Sequence, residues 1–417
     1  MIKMSSELSP EVKLNRFAIC ALVAYLILPI LNRGLPAFVR VVIVCGLLLI
    51  YLLSLYLIDK EGSIETIGVL IVSVGFVILC YYGSAHTVGL PQYLFVAYLF
   101  WIPFLFIYNH NYMRDYEFRR FLSRFILTLL GLTVLSTLAG LITDPMVARN
   151  MATGLTEEYG LRTYSLRNIG GYGFIYSLVL VIPLIIAAIR FSDIKKSYLV
   201  LFLALAIFCI FRSQYSTALC LSIVALTTIF FGNKLTPIKL CGFVLCEAMF
   251  LSILFSLLPA FIDWVSGLGP QASFMAYRLR DFLGTISGST GIRGLERTQR
   301  AEMSWNIFLN NPLLGNLSAT SMSEIGGHST FLDLLASMGL LAVPFIIFFI
   351  LAVFGRTLKR LVPEGVKPYS LVTFLLFFIL GCINTVLSSF TIPVVIFLLP
   401  IGLMSESFDD TSLNEKG

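Results

Sequence analysis

Long uninterrupted apolar runs constrain this chain more than any other feature. A transmembrane helix needs roughly 20 apolar residues, or about 17 at the short end. Runs of that kind occupy 17–31, 37–58, 64–82, 88–108, 121–142, 169–190, 197–212, 214–231, 238–262, 329–354, 369–387 and 389–404. The division between the last two rests on Asn384 and Pro393. Inside lipid the backbone has to satisfy its own hydrogen bonds, so such runs form helices. A membrane barrel would instead show alternating segments of about ten residues, and none occur. Only 12% of the residues are charged, about half the fraction of a soluble domain. The expected fold is an all-α polytopic membrane protein, a single transmembrane domain over 1–417 with about twelve transmembrane helices.

The N-terminal MIKMSSELSPEVKLNR is polar, and no small-residue cleavage site follows the first apolar run, so that run is expected to act as a signal anchor. All eight cysteines fall inside expected spans, where they read as small hydrophobes between helices. No cysteine pair lies in an expected loop, and no metal-ligand spacing occurs, so no disulfide, metal or cofactor is expected. No nucleic-acid partner is read from the chain.

The lysines set the orientation. With the N-terminus in the cytoplasm, all ten lysines (3, 13, 60, 195, 196, 234, 239, 359, 367 and 416) fall on the cytoplasmic side. Cytoplasmic loops carry the basic excess, so both termini are expected inside. The outer side then has no lysine but many arginines: 33, 40, 149, 162, 167, 212, 278, 280, 293, 297 and 300. Insertion bias works against those residues. Arginine grips phosphate and carboxylate with a planar fork that lysine lacks. Some of these arginines can pair with the loop acids Asp144, Glu157, Glu158, Asp281, Glu296 and Glu302. As a set they point to an anionic ligand on the outer face.

Two outer loops are long, 143–168 and 263–328. Loops of that length in a compact protein are usually functional. In the second, 275–286 reads as an amphipathic helix suited to a membrane surface, with Met275, Leu279, Phe282 and Ile286 on one stripe. The stretch GTISGSTGIRG follows, glycine-rich and mobile by composition. A further helix over 298–309 carries Arg300 and Trp305 and stops at Asn311-Pro312.

The segment from Pro312 to Gly339 is the most informative. It places His328 just before a helix that begins at Ser329 or Thr330, with Thr330 and Asp333 spaced like a capping box. The positive end of the helix dipole disfavours imidazolium there, and a neutral imidazole is what a general base needs. The same helix end offers free N–H groups to an anion. The plainer alternative is an interfacial histidine that caps loop backbone. Asp333 lies about 140° round the helix from His328 at roughly 100° per residue, so it reads as a cap or as a partner for Arg40. Glu247, inside the ninth run, is the other odd charge.

These residues resemble the O-antigen polymerase/ligase superfamily. Arg300-x4-Trp305-x5-Asn311-Pro312-Leu-Leu-Gly315, followed by His328-Ser-Thr-Phe-Leu-Asp-Leu-Leu-x3-Gly339, is similar to that family's long-loop signature. Leu166-Arg167-Asn168-Ile-Gly-Gly matches its asparagine before the sixth span. Ser213-Gln214-Tyr215-Ser216-Thr217-Ala218 opens the eighth span, with a serine at 216 where relatives often carry arginine and Arg212 one turn earlier. At 329 serine stands where many members have asparagine. Arg149…Gly160, Arg162…Gly173 and Arg280…Gly291 fit the Arg-x10-Gly spacing of Wzy-type polymerases. The resemblance implies a GT-C-like, metal-independent membrane glycosyltransferase in a bacterial inner membrane, with its active site facing the periplasm. Its substrate would be an undecaprenyl-pyrophosphate-linked glycan, and its companions membrane lipid, a flippase and a chain-length regulator. His328 would be the base, and Arg280, Arg300, Arg167, Arg278 and Arg212 would bind pyrophosphate. Within the family, polymerase is preferred over O-antigen ligase. A twelve-helix transporter is the reading from another class, but no internal repeat supports it. A pure scaffold or chain-length regulator is a further alternative.

Overall fold

The computed structural model describes residues 8–84, 98–153, 158–230, 256–267, 292–318, 323–387 and 389–403, with isolated positions between 249 and 283. Helix is the only regular secondary structure among them, as expected of an all-α membrane protein. The longer helices are α1 (Pro10–Ile27), α2 (Ala37–Ile58), α3 (Lys60–Gly83), α4 (Tyr116–Thr143), α5 (Tyr172–Phe191), α6 (Lys196–Arg212), α7 (Ser216–Leu226), α8 (Ile292–Asn310), α9 (Thr330–Met338) and α10 (Lys367–Ile383).

Among the described residues, five helical stretches are long and apolar enough to cross a membrane: α2, α3, α4, α5 and Thr330–Arg360. Shorter apolar helices cover Ser216–Phe230, Ser256–Ser266, Lys367–Ile383 and Thr391–Gly402. The expected run 37–58 coincides with α2, and the last two runs are separate, with α10 stopping at Ile383, four residues before the expected 387, and the next helix starting at Thr391. Residues 88–97 of the expected span 88–108 and most of 238–262 lie outside the described residues; the rest of the first carries the helix Ile102–Ile107. The helix Ser256–Ser266 runs four residues into the expected loop.

The stretch Thr330–Arg360 is two helices. Gly339 takes φ 59° and ψ −146°, which no helix accommodates, and the chain turns there before continuing from 340 to 360. The second part alone reaches about 31 Å at 1.5 Å per residue, the thickness of a bilayer core. α9 packs against α3 and α10 on its own side of the kink.

The loops sort into two ends. At one, Arg16 pairs with Asp115, Arg120 and Arg124 with Asp193, and Arg356 with Glu65. Asp59 and Asp115 cap the N-termini of α3 and α4 through Gly62 N–H and Phe118 N–H, both at 2.9 Å. Lys60, Lys195, Lys196, Lys359 and Lys367 sit among these groups. At the other end, 27–34 meets 162–174 and 389–391, Arg212 meets Leu141, and Thr385 meets Gly327. None of the described lysines is there. α5 threads the centre, with almost every side chain buried, and packs against α6, α7 and α10.

Candidate functional site

The lysine-free end is organised around the turn that carries His328. Ser329 is the N-cap of α9, and its hydroxyl accepts the Leu332 N–H at 3.4 Å. The Asp333 carboxylate reaches back and accepts the Ser329 N–H at 3.1 Å and the Gly327 N–H at 3.3 Å. The capping partner of Asp333 is thus Ser329 rather than Thr330, and Arg40 is not involved. The carboxylate grips the backbone on both sides of His328. Thr385 donates its hydroxyl to the Gly327 carbonyl at 2.9 Å. Thr330 donates to the Asn384 carbonyl at 3.0 Å and accepts the Val386 N–H at 2.8 Å. The His328 side chain is half-buried.

The same carboxylate fastens α8 to the turn. Ser304, fully buried, donates to Asp333 at 2.7 Å and accepts the Gly326 N–H at 3.0 Å. One helical turn earlier, the Arg300 carbonyl lies against the Cα of Gly326, leaving no room for a side chain at 326. The backbones of Arg300 and His328 are therefore neighbours, and the exposed Arg300 side chain leaves α8 beside the turn. Helix α8 begins six residues earlier than the 298–309 expected and stops at Asn310.

The glycines and proline of the long-loop motif have a mechanical role. Leu340 N–H donates to the Pro312 carbonyl at 2.8 Å and Leu341 N–H to the Leu313 carbonyl at 3.3 Å. Gly315 (φ 54°) and Gly339 (φ 59°) let these two backbones touch, since a Cβ on either would overlap the other strand of chain. Both φ values are ones that L side chains rarely adopt. Pro312 to Gly315 is thus a wedge that holds the kink between α9 and the following helix.

The other proposed arginines differ in what they do. Arg280 pairs with Asp263 at 3.1 Å, but both side chains are largely in solvent, 62% and 76% exposed, so the pair is easily exchanged. Leu279 beside it is buried against Leu258, Ile262 and Val265 of the helix Ser256–Ser266; Met275, Phe282 and Ile286 of the expected stripe lie outside the described residues. Arg212 donates to the Leu141 carbonyl at 3.3 Å and ties α6 to α4. Arg167 is exposed. Arg278, His86 and Glu247 lie outside the described residues, as do Glu157, Asp281, Gly291 and 284–290, and the side chains of Arg149, Glu158, Arg293, Glu296 and Arg297. Asn168, the asparagine ahead of α5, is a pin. Its amide donates to Thr133 at 3.2 Å and Ser136 at 3.3 Å while its backbone sits at φ 58°.

Three arginines of the outer set, absent from the proposed site, surround the short turn between α1 and α2. Arg40 donates to the Asn32 carbonyl at 2.8 Å, and Arg162 to the Gly34 carbonyl at 3.2 Å. Arg33 lies over the Phe390 ring, 5.8 Å from its centroid. Burial and the Arg40 charge lower the Arg33 guanidinium from its ordinary value, and Tyr215 opposes that shift. None of the three makes an ion pair with a described acid. A sequence signal existed: 17–58 carries two arginines and no Asp or Glu, so no local partner was available. The segment 384–391 joins the two regions. It meets the His328 turn at Asn384 and Thr385, and the arginine turn at Ser389 and Phe390. No protein-family model matches the chain, and no curated protein matches it.

Proposed function

We propose that this chain is a membrane glycosyltransferase that polymerises lipid-linked oligosaccharide repeat units for O-antigen or capsular polysaccharide. The growing glycan on undecaprenyl pyrophosphate passes to a sugar hydroxyl of a new lipid-linked repeat at the outer face of a bacterial inner membrane. The observation that carries this reading is the Asp333 clamp, which holds His328 and the Arg300 helix as one unit at an arginine-bearing, lysine-free end. In the reaction, His328 takes the proton from the attacking hydroxyl. The oxygen bonds to the anomeric carbon, and the bond from that carbon to the pyrophosphate oxygen breaks with the electron pair leaving on the lipid pyrophosphate. Arginines neutralise the leaving group; each charge-assisted contact contributes about 1.5–3 kcal/mol. Pyrophosphate leaves well without protonation, so the step asks for a base more than an acid.

Deleting the gene in its host and resolving the surface polysaccharide on a gel tests the reading. A single-repeat product is the expected result. Full-length polymer stranded on its lipid carrier would mean ligase instead, and an unchanged ladder would overturn both. Restoring the gene as His328→Ala should leave the single-repeat pattern in place at normal protein level. Wild-type polymer from that variant would remove the histidine from the mechanism.

A further inference from the structure

The turn between α1 and α2 holds more positive charge than the fold itself requires. α2 is 22 residues long, and its N-terminal end carries no side-chain cap. The free N–H groups and the dipole there already favour an anion. Arg33 precedes that end and Arg40 sits in its first turn. Cations at a helix N-terminus are unfavourable unless something negative joins them. No described carboxylate does so.

A second observation lies across the crevice. Arg33, Asn32, Gly171, Ser389, Phe390 and Thr391 are among the residues lining a narrow crevice of about 30 Å³. Ser389 is 4% exposed, and its hydroxyl has no hydrogen-bond partner among the described residues. The buried Nε of Arg40 is likewise unpartnered. A buried polar group without a partner costs about 1–3 kcal/mol. The Asn32 amide, by contrast, is used up on the carbonyls of Tyr25 and Leu26 at 3.0 and 3.2 Å. Gly171 leaves the Arg33 guanidinium room, since even an added Cβ would stand 3.5 Å from it.

We propose that Arg33 and Ser389 form a phosphate-binding crevice, with the Arg40 charge beside Arg33, that takes the phosphate or pyrophosphate head of an isoprenoid lipid. Arg33 and Arg40 supply charge, and the Ser389 hydroxyl donates to a phosphoryl oxygen. Anion binding stands on the crevice alone; giving the head to the lipid carrier of a glycan rests on the transfer reading above. Residue 390 is five positions from 385, at most about 18 Å of extended chain. One short segment therefore joins the crevice to the His328 turn.

The test uses the full chain in phosphatidylcholine nanodiscs, with geranylgeranyl pyrophosphate as the probe and inorganic pyrophosphate as competitor. Wild type should bind the probe. Arg33→Ala should weaken binding at least tenfold, and Ser389→Ala about tenfold, the loss of one hydrogen bond to a charged group. Ser389→Ala should unfold no earlier than wild type, because it removes an unpartnered hydroxyl. If Arg33→Ala does not fold, Ser389→Ala and Arg33→Lys decide the matter. Competition by inorganic pyrophosphate would show that the anion suffices; its failure to compete would show that the isoprenoid tail is recognised too. No binding by wild type, or equal binding by Ser389→Ala and wild type, would overturn the crevice. His328→Ala should bind the probe normally. Intact binding in a protein whose deletion leaves polysaccharide unchanged would sink the transfer reading and leave this site standing.

Discussion

Asp333 shows how one side chain can matter to a reaction without meeting the substrate. Its two oxygens hold three donors: Ser304, the Gly327 N–H and the Ser329 N–H. Replacing it with alanine leaves the buried Ser304 hydroxyl short of an acceptor and frees the backbone on both sides of His328. A displacement of about 1 Å at a reacting group can cost about 100-fold in rate. Asp333→Ala should therefore lower kcat by one to two orders of magnitude, with binding of the lipid donor within about twofold. Asp333→Asn keeps one oxygen and should fall between the two. Purified variants assayed with lipid-linked repeat units give both numbers. A drop in binding with kcat unchanged would move Asp333 from positioning the base to holding the donor.

At the scale of elements, the kink at Gly339 decides where α9 can lie. The hydrophobic run 329–354 reads as one span because a positive φ leaves no trace in hydropathy. Only the glycine itself marks the place, and glycines are common in spans. Gly339→Ala should cost about 1–3 kcal/mol for the strained backbone. Overlap with Leu313 and Leu314 adds to that. The expected outcome is a lower Tm in detergent and loss of polymer, whereas a substitution at the exposed Leu340 should leave both near wild type. Equal Tm values for Gly339→Ala and wild type would mean that the wedge is not under strain. Other elements were readable in advance. The end of α8 at Asn310 and the start of α9 after Ser329 follow from Pro312 and from a side chain that caps its own helix. The arginine turn at 33–40 was less legible, because its meaning depends on Ser389 and Gly171, more than a hundred residues away in the chain. Periodicity has no access to such contacts.

Across the whole molecule, the described ion pairs are unevenly placed. All but Arg280–Asp263 lie at the lysine-bearing end, where acids and bases neutralise one another. Both ends are basic in sequence, yet among the described residues the other end carries only the Arg280–Asp263 pair. The positive-inside rule predicts that the lysine-bearing end is cytoplasmic. In a chain with its eight cysteines replaced, Leu313→Cys should react with an impermeant thiol reagent in intact cells. Lys196→Cys should react only after the inner membrane is opened. The reverse pattern would invert the protein and take the proposed function with it.

The lysine-free end has one more consequence. Arg33 and Arg40 have no carboxylate partner among the described residues, and such charges gather a cloud of small anions from the surrounding solution. Any phosphate that docks at Arg33 and Arg40 must therefore displace ions already there, and its binding is an exchange rather than a simple addition. The apparent affinity then belongs partly to the buffer. It weakens as chloride rises, more steeply with sulfate, and the encounter rate slows as the Debye length shrinks from about 10 Å at 0.1 M to about 3 Å at 1 M.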